Sequence, residues 1–448
     1  MSALRTDLYE LTMMGGYFHQ GRHRDRVTFE LFVRELPPHR RYLVFAGLDR
    51  IVDYLDDLRF HEDQIAHLRD VPAMRPAMSE AFADYLRSFR FTGDAWAMPE
   101  GTVFFAGEPV LRVTAPLPEA QLVETFLLSI VNTEVLVCSK AARIVEAAGD
   151  APVMEFGTRR TSPDEALRSA RAAYLAGFAA TSNVEAGRRY GIPVSGTAAH
   201  SWTLAFPSEE EAFAAQFALY GRDAVLLVDT FDTRQGVRNA IAVAGDRLGG
   251  IRLDSGDLDT LAFEARALLD EAGLRSTRIV ASGDLDEYEI ARLRGAGAPV
   301  DAWGVGTRLV RSTDAPHVGG VYKLVQHDAL GEPRMKTSPG KGTRPGAHQV
   351  HRVRSGRKAV RDIVALADET VDGAEPLLVP IFDAGRLVRP PDDLEAARAR
   401  ARDEIATLPS EVRAIGNRDR DEGSPYPVQV SERLRALMAG IRSEVSPT

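Results

Sequence analysis

Arg252, Asp254, Ser255 and Asp257 crowd into one short run, Gly250-Ile251-Arg252-Leu253-Asp254-Ser255-Gly256-Asp257-Leu258. Ile251 and Leu253 read as the buried side of a strand, and Asp257 as the N-cap of a helix that carries Leu261, Phe263, Leu268 and Leu269. A strand that ends in glycine and opens a helix gathers free backbone N–H groups and a positive dipole end at one point, which suits an anion. The design returns at Arg278-Ile279-Val280-Ala281-Ser282-Gly283-Asp284-Leu285. Each copy alone is an ordinary capped turn. Together they predict neighbouring strands of one sheet.

Other reactive groups follow other short apolar runs. Arg159 and Arg160 come after residues 152–156, Thr197 and His200 after 192–194, Asp229 and Thr230 after 224–228, and Gly304-Val305-Gly306-Thr307 closes residues 302–305. Helical stretches separate these runs, and residues 320–325 are a candidate last strand. Six or seven such units in series predict a parallel α/β sheet, a closed or nearly closed (β/α) barrel in preference to an open doubly wound sheet. In a barrel the residues after each strand converge on one face. The set then implies a phosphorylated substrate, arginines to neutralise it, acids for a sugar or a metal, and one histidine. Glycine-rich turns late in the series, at Gly283 and Gly306-Thr307, are where barrels often bind phosphate. His200 stands equally as a structural hydrogen-bonder and as a nucleophile. No histidine or carboxylate pair has metal-ligand spacing, so no protein-bound zinc is expected.

The 448 residues suffice for two or three domains, and 44% hydrophobic with 27% charged residues is ordinary for a globular chain. A net charge of −9 and pI near 5.7 argue against general nucleic-acid binding. Cys138, the single cysteine, excludes an internal disulfide. We expect no signal peptide and no bilayer-spanning stretch, hence a cytoplasmic protein.

Three domains are expected: an N-terminal α+β domain over 1–115, the barrel over 116–330, and a basic loop with a C-terminal helical extension over 331–448, packed on the first domain. In the first, helices are read near Leu8, Leu11 and Met14 and over 43–58, a strand over 27–33, and a hairpin joining 103–105 to 110–113. Residues 336–358 read as a mobile loop, and 395–405 and 430–441 as surface helices. Gly340-Lys341-Gly342-Thr343 lacks the upstream glycine of a P-loop. Val225-Leu226-Leu227-Val228-Asp229-Thr230 has one acid where the diphosphoribose motif of common phosphoribosyltransferases needs two.

Taken in order, Thr6-Asp7-Leu8-Tyr9, Phe156-Gly157-Thr158-Arg159-Arg160, Gly196-Thr197-Ala198-Ala199-His200-Ser201, the run 250–257, Gly304-Val305-Gly306-Thr307 and Val321-Tyr322-Lys323-Leu324-Val325 resemble the nicotinate phosphoribosyltransferase family. The resemblance extends from residue 5 to Pro425-Tyr426-Pro427-Val428. It implies an irregular barrel beside an N-terminal domain, a homodimer with shared sites, and ATP-coupled synthesis of nicotinate mononucleotide from nicotinate and phosphoribosyl diphosphate with Mg2+. By motif, His200 resembles the transiently phosphorylated histidine. Tyr9, from a partner subunit, would stack on the pyridine ring opposite Phe156. Thr197 and Arg159 would hold nicotinate, Arg252, Asp254 and Ser255 the ribose and diphosphate, and Gly283, Gly306 and Thr307 the 5-phosphate. The segment Met335-Lys336-Thr337-Ser338-Pro339-Gly340-Lys341 also matches, as a lid or equally as a solvated linker. Nicotinamide phosphoribosyltransferase shares most of these motifs, although Thr197 fits the nicotinate pattern better. A catalytically silent nucleotide-binding barrel is the alternative outside enzymes.

Overall fold

In a computed structural model, residues 2–328, 332–338, 341–416 and 423–445 are described below. The chain divides into two units. One comprises Met1–Leu136, His317–Arg413 and Gly423–Thr448; the other comprises Val137–Pro316 and Ala414–Glu422. These limits differ from those expected at 115/116 and 330/331. The first boundary lies inside a long helical run, and the barrel unit ends earlier, at Pro316.

Val137–Pro316 holds six parallel strands: β1 (Val153–Glu155), β2 (Ala180–Thr181), β3 (Val225–Leu227), β4 (Gly250–Leu253), β5 (Arg278–Ala281) and β6 (Ala302–Val305). Their order is β2-β1-β6-β5-β4-β3. The first strand therefore pairs with the last, as in a barrel, with Trp303 opposite Val153 and Val305 opposite Glu155. Among the described residues no ladder joins β2 to β3. Residues 192–195 pass beside β2, where Val194 makes a single bridge to Thr181. The barrel is thus irregular and breached at one place. Residues 192–194, expected as a strand, supply only that bridge, while β2 escaped sequence reading. Residues 320–325 do not close the ring. They belong to Gly320–His327, which pairs antiparallel with Arg26–Val33 in the other unit.

Alternation explains how β4 is held. Ile251 and Leu253 are fully buried, and Arg252 and Asp254 share the opposite face. β4 and β5 are neighbours in register, Ile279 opposite Ile251 and Ala281 opposite Leu253. The two turns then diverge. Asp257 takes the N-cap position of Leu258–Glu271 without a side-chain cap bond. Asp284 turns left-handed (φ 47°), and Asp286 caps Glu287–Gly295 instead.

The other unit is built on a seven-stranded antiparallel sheet whose central neighbours are Gly320–His327, Arg26–Val33, Pro109–Pro116 and Asp94–Ala97. Leu8–His19 and Leu48–Asp56 are helical. Val103–Phe104 pairs with Leu43–Val44, so the expected hairpin with 110–113 does not form. The C-terminal region is less helical than expected. His348–Ser355 and Lys358–Leu366 are strands of a four-stranded sheet, replacing the mobile loop read over 336–358, and Leu394–Thr407 and Glu432–Val445 are helices. Residues 339 and 340 of the expected lid lie outside the described residues.

Leu117–Ala148 is long and apolar enough to cross a membrane by length and composition, which the sequence reading had excluded. Two thirds of its most apolar window is buried in the fold, 67%. It also carries buried Glu119, Glu134, Lys140 and Arg143, so we read it as a core helix. A π-helical turn at Val131–Val135 interrupts it.

Candidate active site

Arg252 organises the ends of the barrel strands. Its Nη2 donates to Asp254 Oδ1 at 2.6 Å, Nη1 to Thr197 Oγ1 at 2.6 Å and Nε to Ser282 Oγ at 2.8 Å. The guanidinium lies 5.5 Å from the centroid of the Phe156 ring. Four different loops, after β1, near residue 197, after β4 and after β5, are thereby gathered on one cation. Only one of these partners is charged.

Asp254 faces three ways. Oδ1 also accepts from Ser282 Oγ at 2.5 Å, and Oδ2 lies 3.7 Å from His200 Nε2. Burial pulls its proton affinity up, but the Ser282 hydrogen bond, the Arg252 charge and His200 outweigh it and hold the carboxyl below the usual aspartate range. His200 begins the helix His200–Leu204, and its Nδ1 sits 3.1 Å from Thr230 Oγ1. Asp229, expected among the acids at the strand ends, accepts from Ser255 Oγ at 2.6 Å and from the Asp254 backbone N–H at 2.9 Å, both on Oδ2. Its other oxygen is buried without a partner.

Two glycines allow this approach. A Cβ on Gly283 (φ 100°) would stand 2.1 Å from the Asp254 carbonyl oxygen, and one on Gly304 would stand 2.6 Å from the Phe156 ring. Gly306 precedes the short helix Thr307–Val310 at the end of β6. Arg159 lies in the turn Thr158–Arg160, exposed, with no hydrogen bond or ion pair among the described residues.

The structure therefore gathers Phe156, Thr197, His200, Arg252, Asp254 and Ser255, with Gly283, Gly306 and Thr307 at adjoining strand ends. Tyr9 belongs to the other unit, where it is half-exposed. Burial, Glu10 and nearby acids raise its phenol. Glu155, 1% exposed, escaped sequence reading because a glutamate inside an apolar run reads as the solvent-facing residue of a strand. Burial raises its carboxyl although Thr181 and Gly157 donate to it. Met335, Lys336, Thr337 and Ser338 border a cavity of about 570 Å3 in the other unit, which Arg34 and Arg344 also line. Among the described residues no group of three or more metal-type ligands occurs.

Comparison with known proteins places this arrangement. Residues 4–132 match the nicotinate phosphoribosyltransferase N-terminal domain, 152–323 the nicotinate phosphoribosyltransferase family and 370–438 its C-terminal domain. The nicotinate phosphoribosyltransferase pncB2 of Mycobacterium tuberculosis is 45% identical over 450 residues, covering 99% of this chain and 94% of that protein. The nicotinate phosphoribosyltransferase of Bacillus subtilis is 44% identical, covering 84% and 78%. The crystal structure of human nicotinic acid phosphoribosyltransferase superposes with a TM-score of 0.85 at 31% identity, covering 97% of this chain and 99% of that one. With all three of its domains matched in order, the chain belongs to the nicotinate phosphoribosyltransferase family.

Proposed function

We propose that this enzyme joins nicotinate to 5-phosphoribosyl 1-diphosphate, giving nicotinate mononucleotide and diphosphate, with ATP hydrolysis coupled through His200. The pyridine nitrogen lone pair forms the bond to ribose C1, and the C1–O pair leaves with the diphosphate. The carbon is electron-poor at the transition state and the leaving group gains charge, so fixed cations and dipoles matter more than a strong base. The observation that carries this reading is Arg252, held over Phe156 by Thr197, Ser282 and Asp254.

In this reading Phe156 and Thr197 seat the ring, and unpaired Arg159 meets its carboxylate. Arg252, Asp254 and Ser255 hold the ribose and diphosphate, and the turns at Gly283 and Gly306-Thr307 hold the 5-phosphate. The unpartnered Asp229 oxygen suits Mg2+ that is also bound by substrate phosphates, a mode needing only one or two protein carboxylates. Mg2+ there would neutralise the departing diphosphate. The cations around residues 335–338 favour the lid role for that segment over a plain linker. Exposed Tyr9 and Leu8 in one unit, and Leu204 and Phe231 in the other, favour a homodimer in which Tyr9 serves a partner's site. The net charge of −9 and the small-molecule chemistry favour a cytoplasmic enzyme without nucleic-acid partners.

His200→Ala tests the coupling. It should abolish acid-labile phosphorylation and ATP stimulation while leaving weak ATP-independent synthesis. An alanine variant that still hydrolyses ATP in step with product formation removes His200 from the scheme.

A further inference from the structure

Three groups read as seating the pyridine base, Phe156, Arg159 and Thr197, sit on two separate segments on either side of β2. Between them stands Glu155, at the end of β1, with its side chain buried. Glu155 Oε1 accepts from the backbone N–H of Gly157, inside the turn that presents Phe156 and Arg159. Oε2 accepts from Thr181 Oγ1 at 2.6 Å. An ionised carboxylate can only accept, so the Thr181 hydroxyl is the donor, and it accepts in turn from the Asn183 N–H at 3.0 Å. Thr181 then holds the second segment by its backbone. Its N–H donates to the Pro193 carbonyl at 3.0 Å, and its carbonyl accepts from the Ser195 N–H at 2.9 Å. Two residues later Thr197 meets Arg252.

Thr181 is also where the ring of strands is weakest, since the 192–195 segment adds only one bridge to β2 and none joins β2 to β3 among the described residues. A buried carboxylate without a cation is costly unless its oxygens are satisfied. Glu155 is satisfied by one donor from the Phe156/Arg159 turn and one from β2, which holds the 192–195 segment by its backbone. Such a group fixes their spacing more tightly than an apolar residue would.

We propose that Glu155, acting through Gly157 and Thr181, is the positioning residue that sets the distance between the Phe156/Arg159 turn and Thr197, and so determines how tightly the pyridine carboxylate is gripped. It touches neither substrate. Its effect falls on binding of the base, not on the ribose and diphosphate groups fixed by Arg252 and Asp254.

The inference rests on the assignment of Phe156, Arg159 and Thr197 to the base, and the experiment separates the two. Glu155→Gln keeps the shape but replaces the acceptor of the Thr181 hydroxyl by a donor, so the charge-assisted bond from Thr181 is lost and only a weaker one in the reverse direction can take its place. KM for nicotinate should rise about tenfold, while kcat and KM for phosphoribosyl diphosphate stay within about twofold. Thr181→Val should reproduce the change, and Thr181→Ser, which keeps the hydroxyl, should reverse it. This pair serves equally if Glu155→Gln does not fold. Arg159→Ala is the reference. If it leaves KM for nicotinate unchanged, the assignment of the base site fails. If it raises KM while Glu155→Gln and Thr181→Val do not, the positioning role alone is overturned. Equal rises in KM for both substrates, or a lower melting temperature with normal kinetics, would make Glu155 merely structural.

Discussion

Arg252 and Arg352 are both withdrawn from solvent, one in each unit, yet their surroundings differ in kind. Arg352 is fully buried. It donates to both oxygens of Asp362, at 3.0 and 2.5 Å, to the Val103 carbonyl at 2.9 Å and to Glu404. Tyr426 adds its hydroxyl to Asp362 and stacks on Phe105, ring centroids 4.0 Å apart. Two carboxylates enclose one guanidinium, which leaves no charge for a ligand. Arg252 has one carboxylate and two hydroxyls, sits over a ring, and is within reach of solvent. An arginine saturated by anions is a fastener; one held in place by neutral oxygens keeps its charge for something else.

The contrast breaks first if Arg352 is dispensable. Arg352→Met leaves Asp362 buried and uncompensated, which should cost about 3–5 kcal/mol. The melting temperature should fall by roughly 10 °C or more. Unchanged thermal and urea midpoints would show that the pair is not a fastener.

A smaller effect tests the charge reserved for substrate. A site with a cation facing the base carboxylate leaves that cation unmatched when the neutral amide binds, at about 2–4 kcal/mol. Nicotinamide should therefore show kcat/KM about two orders of magnitude below nicotinate. Equal values would place this chain with nicotinamide enzymes.

Arg252→Lys sharpens the comparison further. Lysine keeps the charge but cannot span Thr197, Ser282 and Asp254 at once. A loss of about tenfold in kcat/KM for phosphoribosyl diphosphate, near 1.4 kcal/mol, should exceed any loss of stability. A variant that melts much lower yet turns over normally would turn Arg252 into a second fastener.

The smallest effect is electrostatic. The Asp254 carboxyl is held below its ordinary range, so it contributes stability above the unfolded pKa, and this is lost as pH falls through the folded one. Asp254→Asn should therefore be less stable than the parent at neutral pH, with the gap narrowing below about pH 4. Because the group is partly solvated, the gap is small. A gap that widens on acidification contradicts the assigned direction.

The barrel was legible because apolar runs ending in Gly, Ser, Asp or Arg repeat along residues 152–305, and Arg252 and Asp254 could be placed on one face from alternation alone. Ala180–Thr181 was not legible, since two residues without a bulky side chain leave no periodic signal. Residues 320–325 carry a strand pattern, but pattern does not say which sheet a strand joins. The sheet containing His348–Ser355 and Lys358–Leu366 was hidden by its charges. Arg352 falls in the stretch read as a mobile loop, and only its pairing with Asp362 permits its burial. Glu155 was hidden likewise, because the partner that gives it a role, Thr181, is set by tertiary contact.

The breach between β2 and β3 has a mechanical meaning. An unbroken hoop of strands resists widening because every ladder must stretch together. A hoop cut at one point spreads like a spring clip, and the strain falls on the cut. Here the cut lies between β2 and β3, and among the described residues the single bridge of Val194 to Thr181 is the pairing found beside β2. Small changes in girth therefore cost little at that side of the mouth, while the β4–β5–β6 side keeps its shape.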